Sequence, residues 1–461
     1  MGMKLMKKIR HSKENQMKLG YQELKNMGEI RARNISATSF GHFQAKKRDV
    51  RSLLSIRNEF LLKDLLRLKE ERMSNDIFSF YRGSVDLMRM DLEKVQSSNI
   101  DILICGDAHM MNFGFYASPE RELMFDINDF DEVETNSWEN DIKRFLVSAL
   151  LVSDQLFPEK KGESYSFLEK SLKIYRKSLK LAYETDALNR LLIPNSVSNI
   201  YNTFHKAAGS TVELLKTSIS KARSRDSTFS VEKYTELVGS SKKFIQAPPV
   251  TKAINKKQYQ LICDGITQYK EGLPENIQLF LSLFSIVDIV RHTVGVGSVG
   301  SRCYLVLLQH LDGTSLILQI KEALPIIRKE HKDIHPDHLK EKARHIIDSQ
   351  RVLQSASDPF LGAFTMGDKS YYVRQFKDMK GSVNLKKLDW ESYTSYVQTC
   401  LMLLARAHSQ SPNFPMIIGF FEKQTWVDEA IFSFCKEYKK QVKYDYQSFL
   451  KEVSNKKKGR W

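Results

Sequence analysis

Apolar residues recur along this chain with two different periods, and the change from one to the other divides it. From Val50 to Met73, the positions Leu53, Leu54, Phe60, Leu61, Leu65 and Leu68 fall at helical spacing among alternating charges, which predicts an amphipathic helix. Trp138–Val152 reads the same way, with Ile142, Phe145, Leu146, Ala149 and Leu150 on one face. So does Ser166–Tyr183, with Leu168, Leu172, Tyr175, Leu179 and Ala182 as its stripe. Two later helices are predicted at His338–Ser355, with Gln350 among its inward positions, and at Trp390–His408, whose apolar face includes Tyr393, Val397, Cys400 and Leu404.

Short β-like runs stand between these stripes. Ile102–Cys105 ends at Gly106, and Leu123–Phe125 ends at Asp126. Beyond position 290 the character turns to strand. Cys303–Leu308 and Leu316–Ile320 flank Asp312-Gly313, a strong hairpin signal, and Phe360–Thr365 and Tyr371–Phe376 flank Gly367 and Asp368. Ser210–Tyr259 is more polar and carries Pro248-Pro249, which predicts an irregular, partly exposed connection. No internal repeat is evident. The elements add up to an α+β protein. Its expected parts are a basic tail over 1–47, a helical lobe over 48–290, a small β-rich lobe over 291–380 and C-terminal helices over 381–461 that pack back on the helical lobe.

Composition narrows the function classes. A chain of 461 residues with 42% hydrophobic positions supplies a real core, and a formal charge of +16 favours anionic partners, although much of it sits in the tails, as in Lys7, Lys8, Lys457 and Lys458. The basic runs lack interleaved aromatics, so nucleic acid is not the expected main partner. Five scattered cysteines without C-x-x-C pairing argue against a disulfide framework or a zinc site. The apolar stretches Phe145–Val152 and Ile277–Val290 are too short to span a bilayer, and the basic start lacks the apolar run of a secretory signal. A cytoplasmic protein is expected.

Candidate chemistry concentrates between Ile102 and Glu132. One strand delivers Asp107, His109 and Asn112 onto a loop, and the next ends at Asp126, followed by Asn128, Asp129, Asp131 and Glu132. Asp and Asn are also ordinary turn residues. Here, however, both clusters follow apolar strands, and so many carboxylates repel one another unless a cation or a basic group stands among them. Oxygen ligands of this kind suit Mg²⁺, which points to phosphoryl chemistry. Gly295, Gly297 and Gly300 precede a hairpin whose second strand ends at Lys321, the arrangement with which a protein kinase covers and grips ATP phosphates. Arg82, beside Gly83, suits either a phosphate or carboxylate grip or an internal brace.

Blocks such as GDAHMMNFG, FDINDFDE, FYRG, VGVGSVG, LQIKEA, QRVLQSASDPFLG, YYVRQFKDMKGS and LLARAHS resemble the mainly bacterial family filed as domain of unknown function 2252, over roughly Arg48 to Ser411. Separately, they resemble the aminoglycoside phosphotransferase and choline kinase branch of the protein-kinase-like fold, where a loop H-G-D-x-H-x-x-N is followed by a strand ending in a metal-binding Asp. Gly106, Asp107, His109 and Asn112 match the loop and Asp126 the strand end, with Cys105 in place of the leading His. The resemblance implies that Asp107 orients and deprotonates an acceptor hydroxyl while Asn112 and Asp126 hold Mg²⁺, with Asp129 and Asp131 as further metal or substrate contacts. It implies that Gly295, Gly297, Ser298 and Gly300 cover the ATP phosphates, that Lys321 pairs with them, and that Arg374, Gln375 and Phe376 lie where the chain crosses between lobes beside the adenine.

The blocks run in the wrong order for an ordinary kinase, since the loop comes first and ARAHS ends the last long helix. A two-lobed, circularly permuted kinase-like fold is therefore implied, with Lys321 pointing across the cleft towards Asp126. Replacing Asp126 by Ala is expected to remove Mg-dependent nucleotide binding and leave the fold intact. The acidic partner of Lys321 is open among Glu322, Glu330 and Glu341, with Gln350 on the inward face. The acceptor, a small molecule or a protein, is open as well, as is phosphoryl against nucleotidyl transfer. The alternatives are a metal-dependent phosphoesterase, with His42 and His292 as the remaining ligand candidates, and a non-catalytic nucleotide-binding protein.

Overall fold

The structure, a computed structural model, describes residues 20–198, 209–225, 227–293, 295, 297, 299–328 and 336–458. Helices form where the periodic stripes lie, several started by a capping carboxylate. Asp49 accepts from the Ser52 amide at 3.1 Å ahead of Val50–Asn58, and Asp389 from the Ser392 amide at 2.8 Å ahead of Trp390–Ser409. The stripe from Val50 does not run unbroken to Met73. It stops at Asn58 and resumes at Leu66, and in between the Leu62 amide donates to the Gly300 carbonyl at 2.8 Å. Tertiary pairing to a distant loop satisfies the backbone there, so local periodicity loses.

The other stripes form helices at Glu139–Leu156, Lys161–Glu184 and Pro336–Leu353. Together with Trp390–Ser409, Phe414–Phe421 and Trp426–Lys458, the first two enclose the largest core. Four short strands lie against it: β1 (Asp101–Ile104), β2 (Phe113–Ala117), β3 (Leu123–Ile127) and β4 (Glu134–Ser137). β1 pairs with β4 and β2 with β3, both antiparallel, so the two loops of the acidic centre are carried on neighbouring ladders.

Next come a hairpin, β5 (Thr235–Val238) with β6 (Ser241–Phe244), and a larger sheet. The sheet holds β7 (Thr251–Ala253), β8 (Phe284–His292), β9 (Cys303–His310), β10 (Ser315–Glu322), β11 (Gly362–Met366) and β12 (Lys369–Gln375), in the order β11-β12-β10-β9-β8-β7, with every pairing antiparallel. Both faces of β9 are buried. Tyr304, Val306 and Leu308 pack towards the helix Lys256–Glu271, and Leu305 and Leu307 towards Val231 of the helix Ser227–Tyr234.

Three expectations change. The polar span 210–259 is structured, because two of its apolar residues, Val231 and Phe244, cover the second face of the sheet. The sheet starts at Thr251, well before the expected boundary at 291. The expected tail contains a docked helix, Tyr21–Arg33, which crosses Phe414–Phe421 so closely that a Cβ on Gly419 would lie 1.8 Å from the Lys25 carbonyl oxygen. Among the described residues no helix is long and apolar enough to cross a membrane, and all five cysteines are free.

Candidate active site

β1 feeds a loop that is held by its backbone. The amides of Cys105 and Gly106 donate to the two carboxylate oxygens of Asp141 at 2.9 and 3.0 Å. Asp141 is braced in turn by His408 Nε2 at 3.3 Å, whose Nδ1 lies 2.7 Å from the Tyr175 hydroxyl. Gly106 sits at φ +77°, and a Cβ there would stand 2.0 Å from the Glu132 carbonyl oxygen. Only glycine lets the loop lie against the acidic segment.

Asp107 emerges from this loop part-buried, its Oδ1 accepting from Arg144 Nε at 2.9 Å. Burial raises its pKa to about 6 despite Arg144, with Glu132 and Asp129 adding to the rise. His109 lies 3.7 Å from Asp107 and within 3.4 Å of Arg82 Nε. Burial, then Arg82 and Arg144, hold the imidazole well below its usual range, so it is neutral. Asn112, at the cleft wall, also binds the second loop. Its Nδ2 donates to the carbonyls of Asp107 at 3.1 Å and Asp129 at 3.0 Å, and its Oδ1 accepts from the Asp129 amide at 2.7 Å. These bonds brace the two loops and set their spacing.

Asp126 also departs from expectation. It lies inside β3 rather than at its end, it is fully buried, and it is not part of the cleft lining. Its oxygens accept from Asn195 Nδ2 at 2.8 Å, from the Ser355 amide and hydroxyl at 3.0 and 3.1 Å, and from the Ile127 amide at 2.9 Å. Leu123, Phe125 and Ile127 of β3 face the hydrophobic core, so alternation puts Asp126 on the other face, where Asn195 and Ser355 cover it, and the residues past the strand end reach the cleft instead.

Those residues are Asp129 and Asp131. Lys321, nearly fully buried in β10, forms an ion pair with Asp131, stands 3.9 Å from Asp129, and is matched across the ladder by Tyr372 of β12, whose hydroxyl donates to Asp131 at 2.7 Å. Burial works against both charged forms. Asp129 and Asp131 nonetheless hold Lys321 well above the usual lysine range, and Lys321, Arg374 and Lys380 hold Asp129 down at about 2. The partner of Lys321 is therefore in the acidic segment. Glu322 pairs with Arg302, Gln350 bonds Gln354, and Glu330 lies outside the described residues.

The remaining carboxylates of the segment are paired too. Glu132 contacts Arg57 and Arg89, and Glu134 contacts Arg89 and Arg328. Basic side chains account for the acidic clustering, so repulsion alone does not call for a metal. Arg57, Arg89 and Arg144 were not singled out from sequence. For Arg144 a signal existed, because a charge inside the apolar run from Ile142 to Val152 cannot be exposed on every face of that helix.

Both loops open into a cleft of ≈ 370 Å³, within the size range of small-molecule sites. Its lining includes Asp107, Asn112, Asp129, Asp131, Lys321, Gly295, Gly297, Arg82 and Arg374. The stretch between β8 and β9 that carries the glycines rests on the helices before the loop, with Arg72 donating to the Gly295 carbonyl. Gly300 packs on Leu61 away from the lining, and Ser298 lies outside the described residues. Gln375 and Phe376 do not line the cleft either. The Gln375 amide donates to Asp358, the Phe376 amide to the Ile317 carbonyl at 2.9 Å, and the Phe376 ring is buried with Val231 and Leu305.

The family described as uncharacterized protein conserved in bacteria (DUF2252) matches residues 61–452. The chain belongs to this family. No curated protein and no solved structure matches it. The match covers the acidic centre, the glycine stretch, Lys321 and the helix carrying His408, so these parts belong to one family unit.

Proposed function

We propose that this family member is a Mg-ATP-dependent phosphotransferase on a two-lobed, circularly permuted kinase-like fold, moving a phosphoryl or nucleotidyl group to an acceptor hydroxyl. One observation carries the reading. Lys321, on the third strand counted from the one leading into the glycine stretch, meets Asp129 and Asp131 in the cleft that Asp107 lines, although the ion-paired residues are 190 positions apart in sequence. A lysine on the third strand, glycines at the tip before it and a helix after it are the parts with which kinases cradle polyphosphate.

The permutation has support of its own. The last turn of the helix Trp390–Ser409 carries His408, which contacts Asp141, the residue that holds the Cys105 and Gly106 amides. Tyr396 of the same helix donates to the Met110 carbonyl at 2.7 Å. The long helix and the loop are thus adjacent in space while reversed in sequence, and contacts rather than connectivity make a site.

In this reading Asp107 orients the hydroxyl and takes its proton. Asp129, about half exposed, and Asp131 fit a hard cation that keeps phosphate oxygens as its other ligands, and Lys321 passes from Asp131 to the phosphates. Mg²⁺ would bridge and neutralise those phosphates when bound. The phosphoesterase alternative lacks ligands: neither His42 nor His292 lines the cleft, and among the described residues no three His, Cys, Asp or Glu side chains are grouped to hold a metal. Calorimetric titration of the full chain with a non-hydrolysable ATP analogue tests the proposal. Binding that requires Mg²⁺ and weakens about tenfold or more in Asp129→Asn is expected. Absence of binding to the folded wild type sinks the reading.

A further inference from the structure

Charge in the cleft is out of balance in a way one nucleotide does not explain. Nine Lys or Arg and six Asp or Glu side chains line it. Each of the six carboxylates lies within 4.0 Å of a basic side chain, Asp107 with Arg144 and Asp131 with Lys321 among them. Of the nine cations, only Arg57 and Lys321 form such a pair among the described residues, which leaves 9 − 2 = 7 without a carboxylate. The lining carries a net 9 − 6 = 3 positive charges, more than the roughly two net negative charges that a metal-chelated triphosphate keeps.

The unpaired cations stand on two walls. Lys377 and Lys380 follow β12, with Lys233 on the helix whose Ser230 hydroxyl donates to the Lys377 carbonyl at 2.8 Å. Arg82 and Lys69 belong to the helices before the loop, Arg82 on the side of Asp107 and Lys69 near Arg57, Asp86 and Glu132. Arg82 is one imidazole away from Asp107, through His109, and a Cβ on Gly297 would lie 3.3 Å from the Arg82 carbonyl oxygen, so this wall meets the tip of the glycine stretch. Lys69 is 5% exposed, and among the described residues its hydrogen-bond partner is Asn58 Oδ1 at 3.4 Å. Burial lowers Lys69 to about 8 and also lowers Arg82, as happens when cations leave water without a bonded carboxylate. A guanidinium cannot shed its charge, and Asp107, Asp129 and Asp76 offset its desolvation only in part, so an arriving anion would be favoured at Arg82.

We propose that the acceptor is itself an anion, a small hydroxyl compound carrying a phosphate or carboxylate group, and that Arg82 holds this group beside Asp107. This rests on the phosphotransferase reading. The hydroxyl then sits at Asp107 and the anionic group only a few bonds away, at Arg82. Binding energy far from the reacting oxygen fixes its orientation.

The test uses the full chain with inorganic phosphate and succinate as two probes, each titrated alone and again in the presence of the saturating Mg-bound ATP analogue. At least one probe is expected to bind the wild type with the analogue already in place, and the probe that binds tells phosphate from carboxylate. R82Q should weaken that probe about 10- to 100-fold while leaving analogue affinity within about threefold, and R82K, which keeps the charge, should retain most of it. Full competition between probe and analogue overturns the proposal, because Arg82 then serves the nucleotide's own phosphates. So does equal probe affinity in R82Q and wild type, or failure of both probes to bind. If the probe binds through Arg82 and the analogue does not bind at all, the anion site stands and the ATP reading falls, so the two failures are distinguishable.

Discussion

Replacing Asp126 by Ala separates the structural arrangement from the one its sequence position suggests. The carboxylate is fully buried and accepts four hydrogen bonds, from Asn195 Nδ2, the Ser355 amide and hydroxyl, and the Ile127 amide. It ties β3 to the segment around Asn195 and to Ser355, just beyond the helix Pro336–Leu353. The Asn195 and Ser355 side chains can turn to other partners once it is gone, but the two backbone amides cannot. Each buried donor left unpaired costs about 1–3 kcal/mol, so a loss on the order of 3–5 kcal/mol is expected, the remainder coming from the emptied volume. In urea unfolding followed by tryptophan fluorescence, with an m-value on the order of 3 kcal/mol/M, the midpoint should fall by about 1 M. Trp138 is fully buried in the same core and reports its opening. Asp129→Ala removes a half-exposed carboxylate that Lys321, Arg374 and Lys380 hold at a low pKa, so it should lower the midpoint, though by less than Asp126→Ala. A midpoint within about 0.3 M of wild type for Asp126→Ala refutes its assignment as a structural tie.

Further outcomes follow from the same site. Asp107→Asn should leave affinity for the ATP analogue within a few fold and lower turnover about 10²-fold or more; wild-type-like turnover would make Asp107 a loop residue only. Because burial raises the Asp107 pKa to about 6, its proton-accepting form builds up above that pH, so kcat/KM should fall about tenfold per pH unit below it; a flat acid limb down to pH 5 would contradict this. Gly106→Ala places a Cβ 2.0 Å from the Glu132 carbonyl oxygen in a left-handed backbone, so a stability loss of about 2 kcal/mol or more is expected, read from the urea midpoint. An unchanged midpoint would mean that the two loops are not packed together as described.

Local pattern alone determined most elements and the family. The stripes at 138–152, 166–183 and 390–408 are helices, the Asp312-Gly313 turn joins β9 to β10, and the blocks that suggested the family lie largely within the matched residues 61–452. Periodicity, capping and turn chemistry act over a few residues, so a sequence carries them explicitly. Tertiary structure alone decided which carboxylates face the cleft. Two extra residues of strand put Asp126 inside β3, on the face opposite Phe125 and covered by Asn195 and Ser355, and left Asp129 and Asp131 to meet Lys321. Partners far apart in the chain leave no local trace, which is why Arg144, Asp141 and the true partner of Lys321 were not legible. The same holds for the polar span 210–259 and the helix Tyr21–Arg33: their own composition is weakly apolar, and what orders them is the surface they cover, the second face of the sheet in one case and the helix Phe414–Phe421 in the other.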